Sequence, residues 1–220
     1  MRYQPISNVI RQTVLIAFLL LLSVGARPAL AQTPPTEERP LSPPFATEPG
    51  MDTWLLGQPY GNTTSAYRMR DVIYALSQGI HFGVDLSVPC GTEVVALADG
   101  VVFVVDNLNF GSAPHNLIVD YPELGYASLY GHLLETPDLE VGQKVERGEV
   151  LALRRDPAET CYGRPHLHLE IRDLQTHARK FNPLTLIEGD WATISSIGAY
   201  GRGYEYDLDE PRKWQHLFDQ

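Results

Sequence analysis

Lysine is nearly absent from this chain. The 220 residues hold three, Lys144, Lys180 and Lys213, and the 17 Lys+Arg face 27 Asp+Glu, for a formal net charge of −10. Nucleic-acid binding rests on a basic surplus that neutralises phosphates, so no nucleic-acid partner is expected. A lipoyl- or biotinyl-type carrier needs an exposed lysine in a tight turn. None of the three stands in one, although residues 141–153 (VGQKVERGEVLAL) resemble a hairpin of such carriers. Cysteine is scarcer still: Cys90 and Cys161 are the only two, and neither belongs to a CxxC pair of the kind that builds thiolate zinc sites. Long apolar runs are missing as well. The run at 13–26 (TVLIAFLLLLSVGA) is short of a hydrocarbon core of about 30 Å at about 1.5 Å per helical residue. No internal repeat is visible.

That run instead completes a signal-peptide pattern. Arg2 and Arg11 supply a basic start, and Ala29-Leu30-Ala31 gives a small-x-small cleavage site before Gln32. Residues 1–31 are therefore expected to be removed on export, with no stable membrane anchor afterwards. They contain three Arg and no acid, so their loss takes the charge from −10 to −13. In the oxidising compartment beyond, Cys90 and Cys161 can hold a disulfide. Residues 32–50, rich in Pro and Thr, read as an extended and unpacked linker.

The remainder is globular, with hydrophobic residues at 44% and charged residues at 20%. Residues 67–77 (YRMRDVIYALS) carry apolar side chains at helical spacing, and Gly79 can end a short helix. After Gly79 the period changes to two. TEVVALA, GVVFVVD, NLIVDY, YASLYGHL and EVLALRR read as strands between turn signals. The fold class is mainly β: an antiparallel sheet or sandwich with few short helices. A domain over 51–190 is expected, with 191–220 as a C-terminal extension that packs back on it.

Two segments hold the chemistry. In His81-Phe82-Gly83-Val84-Asp85 and in His166-Leu167-His168-Leu169-Glu170, strand geometry places the His and acid residues on one face and the apolar residues on the other. If the two strands are antiparallel neighbours with paired indices summing to 251, Gly83 faces His168 and Asp85 faces His166. His81, Asp85 and His168 then converge, and Gly83 leaves room for an ion above the strand. The same sum sets Cys90 opposite Cys161. Two imidazoles and one carboxylate suit Zn²⁺ and leave a fourth position open. His166 would lie beside the ion, placed to accept a proton or to stabilise an oxyanion. His132, at the end of YASLYGHL, is a second residue for those roles. Glu170 reads as a solvated strand-end acid, with support of a ligand as the alternative. His115, His177 and His216 read as surface histidines.

HFGVD, YGHL and HLH occur in the order found in the lysostaphin/LytM-type peptidases. PCGTEVVALADGVV, VGQKVERGEVLA and GRPHLHLEI are also similar to stretches of that family, so the resemblance covers residues 79–183. It implies a LytM-type β fold with one Zn²⁺ per chain on His81, Asp85 and His168, and a catalytic pair His132 and His166. It further implies an exported endopeptidase, periplasmic or extracellular, that acts on peptidoglycan stems or cross-bridges. A non-catalytic activator or wall-binding domain is the alternative. Family members use a tyrosine upstream of the first ligand near the reacting carbonyl; Tyr60, Tyr67 and Tyr74 are the possibilities here. Asn116 matches a family asparagine of structural character. Arg164 departs from the usual small residue, and the two cysteines are not general to the family.

Overall fold

The computed structural model describes residues 39–154 and 165–197, together with the backbone of 204–206 and 214–216. In chain order its elements are β1 (Leu55–Gln58), α1 (Thr64–Arg68), β2 (Val84–Ser87), β3 (Thr92–Val95), β4 (Gly100–Val105), β5 (His115–Tyr121) and β6 (Tyr126–Leu133). They continue with β7 (Lys144–Val145), β8 (Val150–Arg154), β9 (His166–Asp173), β10 (Lys180–Phe181), α2 (Trp191–Ser196), β11 (Tyr204–Tyr206) and β12 (Trp214–His216). Eight strands form one sheet in the order β1-β2-β9-β6-β5-β4-β7, with β10 also pairing β9, and every pairing is antiparallel. Two further antiparallel pairs are β3-β8 and β11-β12. The mainly β, antiparallel architecture is the one expected from the period-two segments.

Alternation divides the large sheet into two faces. Leu167, Leu169 and Ile171 of β9 are fully buried on one side, with Tyr130 of β6, Val84 and Leu86 of β2 and Leu117 and Val119 of β5 beside them. Val94, Leu97 and Ala152 belong to the same cluster. Three hydroxyls are buried there and each is satisfied. Tyr121 Oη bonds Ser128 Oγ at 2.8 Å and Tyr130 Oη at 2.8 Å, and the Leu97 amide donates to Tyr130 Oη at 3.2 Å. Buried polar atoms are tolerated on that condition. The opposite face carries His166, His168, Glu170 and Arg172 of β9, with a small apolar cluster of Ile118, Ala127 and Leu129 beside them.

Three expectations need correction. The linker expected over 32–50 is packed in its described part. Leu41 is fully buried, donates to Leu186 O at 3.1 Å and accepts from Glu188 N at 2.7 Å. Phe45 lies 5.6 Å from Trp54, whose ring is 6.2 Å from that of Trp191. Scattered apolar residues between prolines thus anchor the segment, although composition suggested otherwise. The helix expected over 67–77 is instead α1, five residues capped by the Thr63 hydroxyl, followed by turns to Gly79. Val72, Ile73 and Leu76 are exposed, so the helical stripe had no surface to bury it, and spacing alone does not sustain a short helix. The third correction is the register. Asp85 faces His168 and Ser87 faces His166, an index sum of 253 instead of 251.

The shift keeps every side chain on its expected face, because the side-chain period is two. It removes the register argument that joined the two cysteines. Cys90 is not a free thiol, while Cys161 and Arg164 lie outside the described residues, as do residues 1–38 with the expected signal peptide. Of the expected C-terminal extension, α2 packs through Trp191 and Ile194. The side chain of His216 lies outside the described residues.

Packing of the N-terminal segment is testable. Leu41→Ala should destabilise the protein by about 2–5 kcal/mol, the range for a large-to-small change at a filled core position. Equilibrium urea denaturation measures it; an unpacked linker would show no change.

Candidate metal centre

Three donor atoms meet where β2 and β9 pair. His81 Nε2 lies 3.1 Å from Asp85 Oδ1 and 3.0 Å from His168 Nδ1, and the last two atoms are 2.9 Å apart. The three atoms are close enough together for one ion with bonds of about 2.0–2.2 Å to be held by all of them. His81, Asp85 and His168 are also the group of buried donors able to share one ion among the described residues. Two imidazoles and a carboxylate suit a borderline-soft divalent cation.

Each ring is turned by its other nitrogen. His81 Nδ1 donates to Pro59 O at 2.9 Å, which leaves Nε2 as the bare nitrogen. His81 itself is held by a two-way backbone bridge to Gly61, at 2.8 and 2.9 Å. His168 Nε2 points the other way, 3.2 Å from Glu170 Oε1, so Nδ1 is the inward donor. Glu170 is therefore not the solvated acid expected from its strand position. It is 6% exposed and bonds Arg172 Nε at 2.7 Å. Such outer partners orient metal-binding histidines and raise their basicity. Gly83 also differs from expectation. A Cβ there would stand 2.5 Å from Leu169 O and 2.9 Å from His168 Cε1, so glycine makes way for the His168 ring and not for an ion.

The charges follow from these contacts. Burial would raise the Asp85 carboxyl, but His81 and His168 outweigh it and hold it well below the usual range. Burial likewise would raise Glu170, yet His168 and Arg172 bring it down to about 2. For His168 burial would lower the pKa, but Asp85 and Glu170 win and raise it to about 9.

His132 and His166 stand beside the triangle. Their ring centroids are 4.8 Å apart, and the His132 centroid is 5.7 Å from that of His168. His166 Nε2 lies 4.0 Å from Asp85 Oδ1. His132 has a left-handed backbone, φ 58°, at the end of β6. Its amide donates to Ser112 O at 3.3 Å and its Nδ1 to Ala113 O, so Nε2 carries no proton. Burial, with His168 nearby, lowers His132 to about 4, so the ring is neutral near pH 7. All five residues expected at the site are thus brought together.

A cleft of about 520 Å³ opens over them, lined also by Gln58, Tyr74, Ser87 and Ser112. Of the three tyrosines in question, Tyr74 is the one in the cleft. Its ring meets His81 edge-on at 5.9 Å, and Gln58 Nε2 donates to its hydroxyl at 3.3 Å. Burial and then the Asp85 charge raise Tyr74 to about 12, so it remains a protonated donor. Tyr60 packs against the core, and Tyr67 is exposed beneath the Arg70 guanidinium. His177, expected at the surface, is 7% exposed, stacked on Phe103 and 2.7 Å from Asp120 Oδ1. His115 is partly exposed and pairs with Asp106 at 2.9 Å.

The residues that sequence reasoning missed are Arg172 and the carbonyls of Pro59 and Ala113. Arg172 had a signal, since it shares the period-two face of His166, His168 and Glu170. The carbonyls had none, because residue type does not encode which backbone oxygen faces a ring.

Residues 79–183 match the model of peptidase family M23. An uncharacterized metalloprotease of Haemophilus influenzae is 36% identical over 106 residues, 48% of this chain and 21% of the relative. One from Buchnera aphidicola is 30% identical over 107 residues, 48% of this chain and 26% of the relative. The chain thus spans about a quarter or less of the length of these relatives. Among solved structures, the antimicrobial peptidase lysostaphin from Staphylococcus simulans superposes with a TM-score of 0.50 at 18% identity, over 77% of this chain and 63% of that one. At that identity the likeness concerns the fold.

The raised His168 sets a pH dependence for metal binding. Below about pH 9 a cation entering the triangle has to displace the Nδ1 proton. Affinity should therefore rise about tenfold per pH unit from pH 7 towards 9 and level off above, with about one proton released per ion. Calorimetric titration in buffers of different ionisation enthalpy measures both; a pH-independent affinity would contradict the assignment of His168 Nδ1 as a donor.

Proposed function

We propose, from the premise that residues 79–183 belong to peptidase family M23, that this protein is a zinc-dependent endopeptidase acting on the peptides of peptidoglycan. The observation that carries the reading is the triangle of His81, Asp85 and His168 donors, with two further histidines on its open side. Two imidazole nitrogens and one carboxylate oxygen are a donor set that suits Zn²⁺, and an ion held there would supply Lewis acidity towards a carbonyl oxygen and towards water.

The chain's own residues divide the remaining work. His132, neutral and with Nε2 bare, accepts a proton in the cleft. His166, on the same side of the triangle, stabilises developing negative charge, and the proton that His132 has taken up passes to the leaving amine. Tyr74, which also lines the cleft, keeps its hydroxyl proton and donates to the substrate carbonyl. Wall peptides as substrate follow from the family resemblance, as does export by removal of residues 1–31. A Cys90–Cys161 disulfide belongs to the same reading, since an exported chain meets an oxidising compartment.

Purified muropeptides incubated with the protein, and weighed by mass spectrometry, test the reaction. Zinc-loaded protein should split a stem or cross-bridge peptide, and chelated protein should not. His168→Ala should lose both zinc and cleavage. His166→Ala should retain most zinc while turnover falls about 10²–10³-fold, the range for a lost oxyanion-stabilising group. Normal turnover in His166→Ala would remove its role, and stoichiometric zinc without cleavage of any wall peptide would favour a binding or activating domain.

A further inference from the structure

We infer that Arg172 is a positioning residue that ties the metal-binding triangle to the proton-accepting histidine through one hydrogen-bonded chain; this rests on the function proposed above. The chain begins at His168, whose Nε2 lies 3.2 Å from Glu170 Oε1. The other oxygen of Glu170 accepts from Arg172 Nε at 2.7 Å. The same guanidinium then reaches off the sheet, and its Nη2 donates to Phe110 O at 2.9 Å. Phe110 closes a 3-10 turn (Leu108–Phe110) in the loop that continues through Ser112 and Ala113. Ser112 O holds the His132 amide and Ala113 O holds His132 Nδ1.

One planar cation thus orients two imidazoles. The guanidinium permits this, because Nε and Nη2 are separate donors fixed in one rigid plane, and each bonds its own acceptor. Arg172 is 3% exposed and Glu170 6%, so the bond between them is shielded from water. The far end is fitted closely as well. A Cβ on Gly131 would lie 2.3 Å from Ser112 Cβ, so the loop rests directly on β6 next to His132. Asn116 clamps the start of the same loop by bonds to Asn107 N, Asn107 O and Gly111 O at 3.0, 2.9 and 2.6 Å. Arg172 joins this loop to β9, the strand that carries His168.

The experiment compares the full wild-type chain with Arg172→Met, Arg172→Lys and Glu170→Gln. Zinc affinity is read by competition with a chromophoric chelator. The His132 ring is read by nitrogen-15 shifts, which distinguish a protonated Nδ1 from a bare one. Arg172→Met should weaken zinc at least about tenfold, the lower end for loss of an outer partner, and should also move the His132 signals away from the single Nδ1–H form. Glu170→Gln should weaken zinc but leave the His132 signals in place. Should Arg172→Met fail to fold, Arg172→Lys retains the charge but not the fork. It should keep zinc affinity within about threefold and still disturb His132, since a point donor cannot serve both acceptors. Wild-type His132 signals in the folded Arg172 variants, or unchanged zinc affinity in Arg172→Met, would overturn the inference. A wild-type chain that binds no zinc would instead defeat the proposed function, and the His132 signals of the metal-free variants would still decide the coupling.

Discussion

The cleft depends on which nitrogen of each histidine carries a proton. A bare imidazole nitrogen binds a cation or accepts a proton; a protonated one does neither. In His81 and His132 the choice is made by a backbone carbonyl, and in His168 by a buried carboxylate. His81 and His132 therefore present a bare nitrogen towards the centre and a protonated one towards the scaffold, while His168 turns Nδ1 inward, the nitrogen whose proton an entering ion displaces. Remove these partners and the same residue types at the same Cα positions would be a group of indifferent imidazoles.

The sheet and the loops make different contributions to that constraint. Antiparallel pairing of β2 with β9 sets Asp85 opposite His168, and the period of two places Glu170 and Arg172 on the same face. This is coarse placement, rigid because Leu167, Leu169 and Ile171 are fully buried behind it. Fine placement comes from irregular backbone. His132 lies in the left-handed region, a conformation costing on the order of 1–3 kcal/mol for a side chain other than glycine. It is kept there by two bonds to neighbouring residues of one loop, and the loop is kept by Asn116 and Arg172.

What was legible in the sequence follows the same division. The strands were readable from alternation, and with them the faces of His81, Asp85, His166 and His168, because a face needs only parity. The register was two residues away, since parity is preserved by every even shift and nothing local distinguishes 251 from 253. Gly83 reads as a space from the sequence, but what fills the space, the His168 ring instead of an ion, depends on the rotamer that the ring adopts. The stripe over 67–77 had helical spacing without a partner surface, and the Pro-rich segment hid Leu41 and Phe45 in a linker-like composition. Tyr74 could not be separated from Tyr60 and Tyr67, because the turns that bring it over His81 are set by tertiary contact and not by spacing. The carbonyls of Pro59 and Ala113 lay beyond reach for a further reason. Every residue has one, so their role is written only in the folded path of the chain.

The Glu170–Arg172 pair shows how function and stability separate at this site. Burying two opposite charges costs desolvation that their attraction barely offsets, so an apolar pair of similar size would support the fold as well or better. Stability alone is thus a poor account of their presence. An apolar pair could not accept from His168 Nε2, and it could not donate to Phe110 O. With Glu170 gone, His168 could turn either nitrogen inward; with Arg172 gone, Glu170 would be a buried, poorly compensated carboxylate, inclined to take a proton and lose its hold on the ring. The pair therefore makes the ring orientation depend on charge complementarity within a dry layer of the sheet. There a displacement of either group is penalised far more than it would be at the surface.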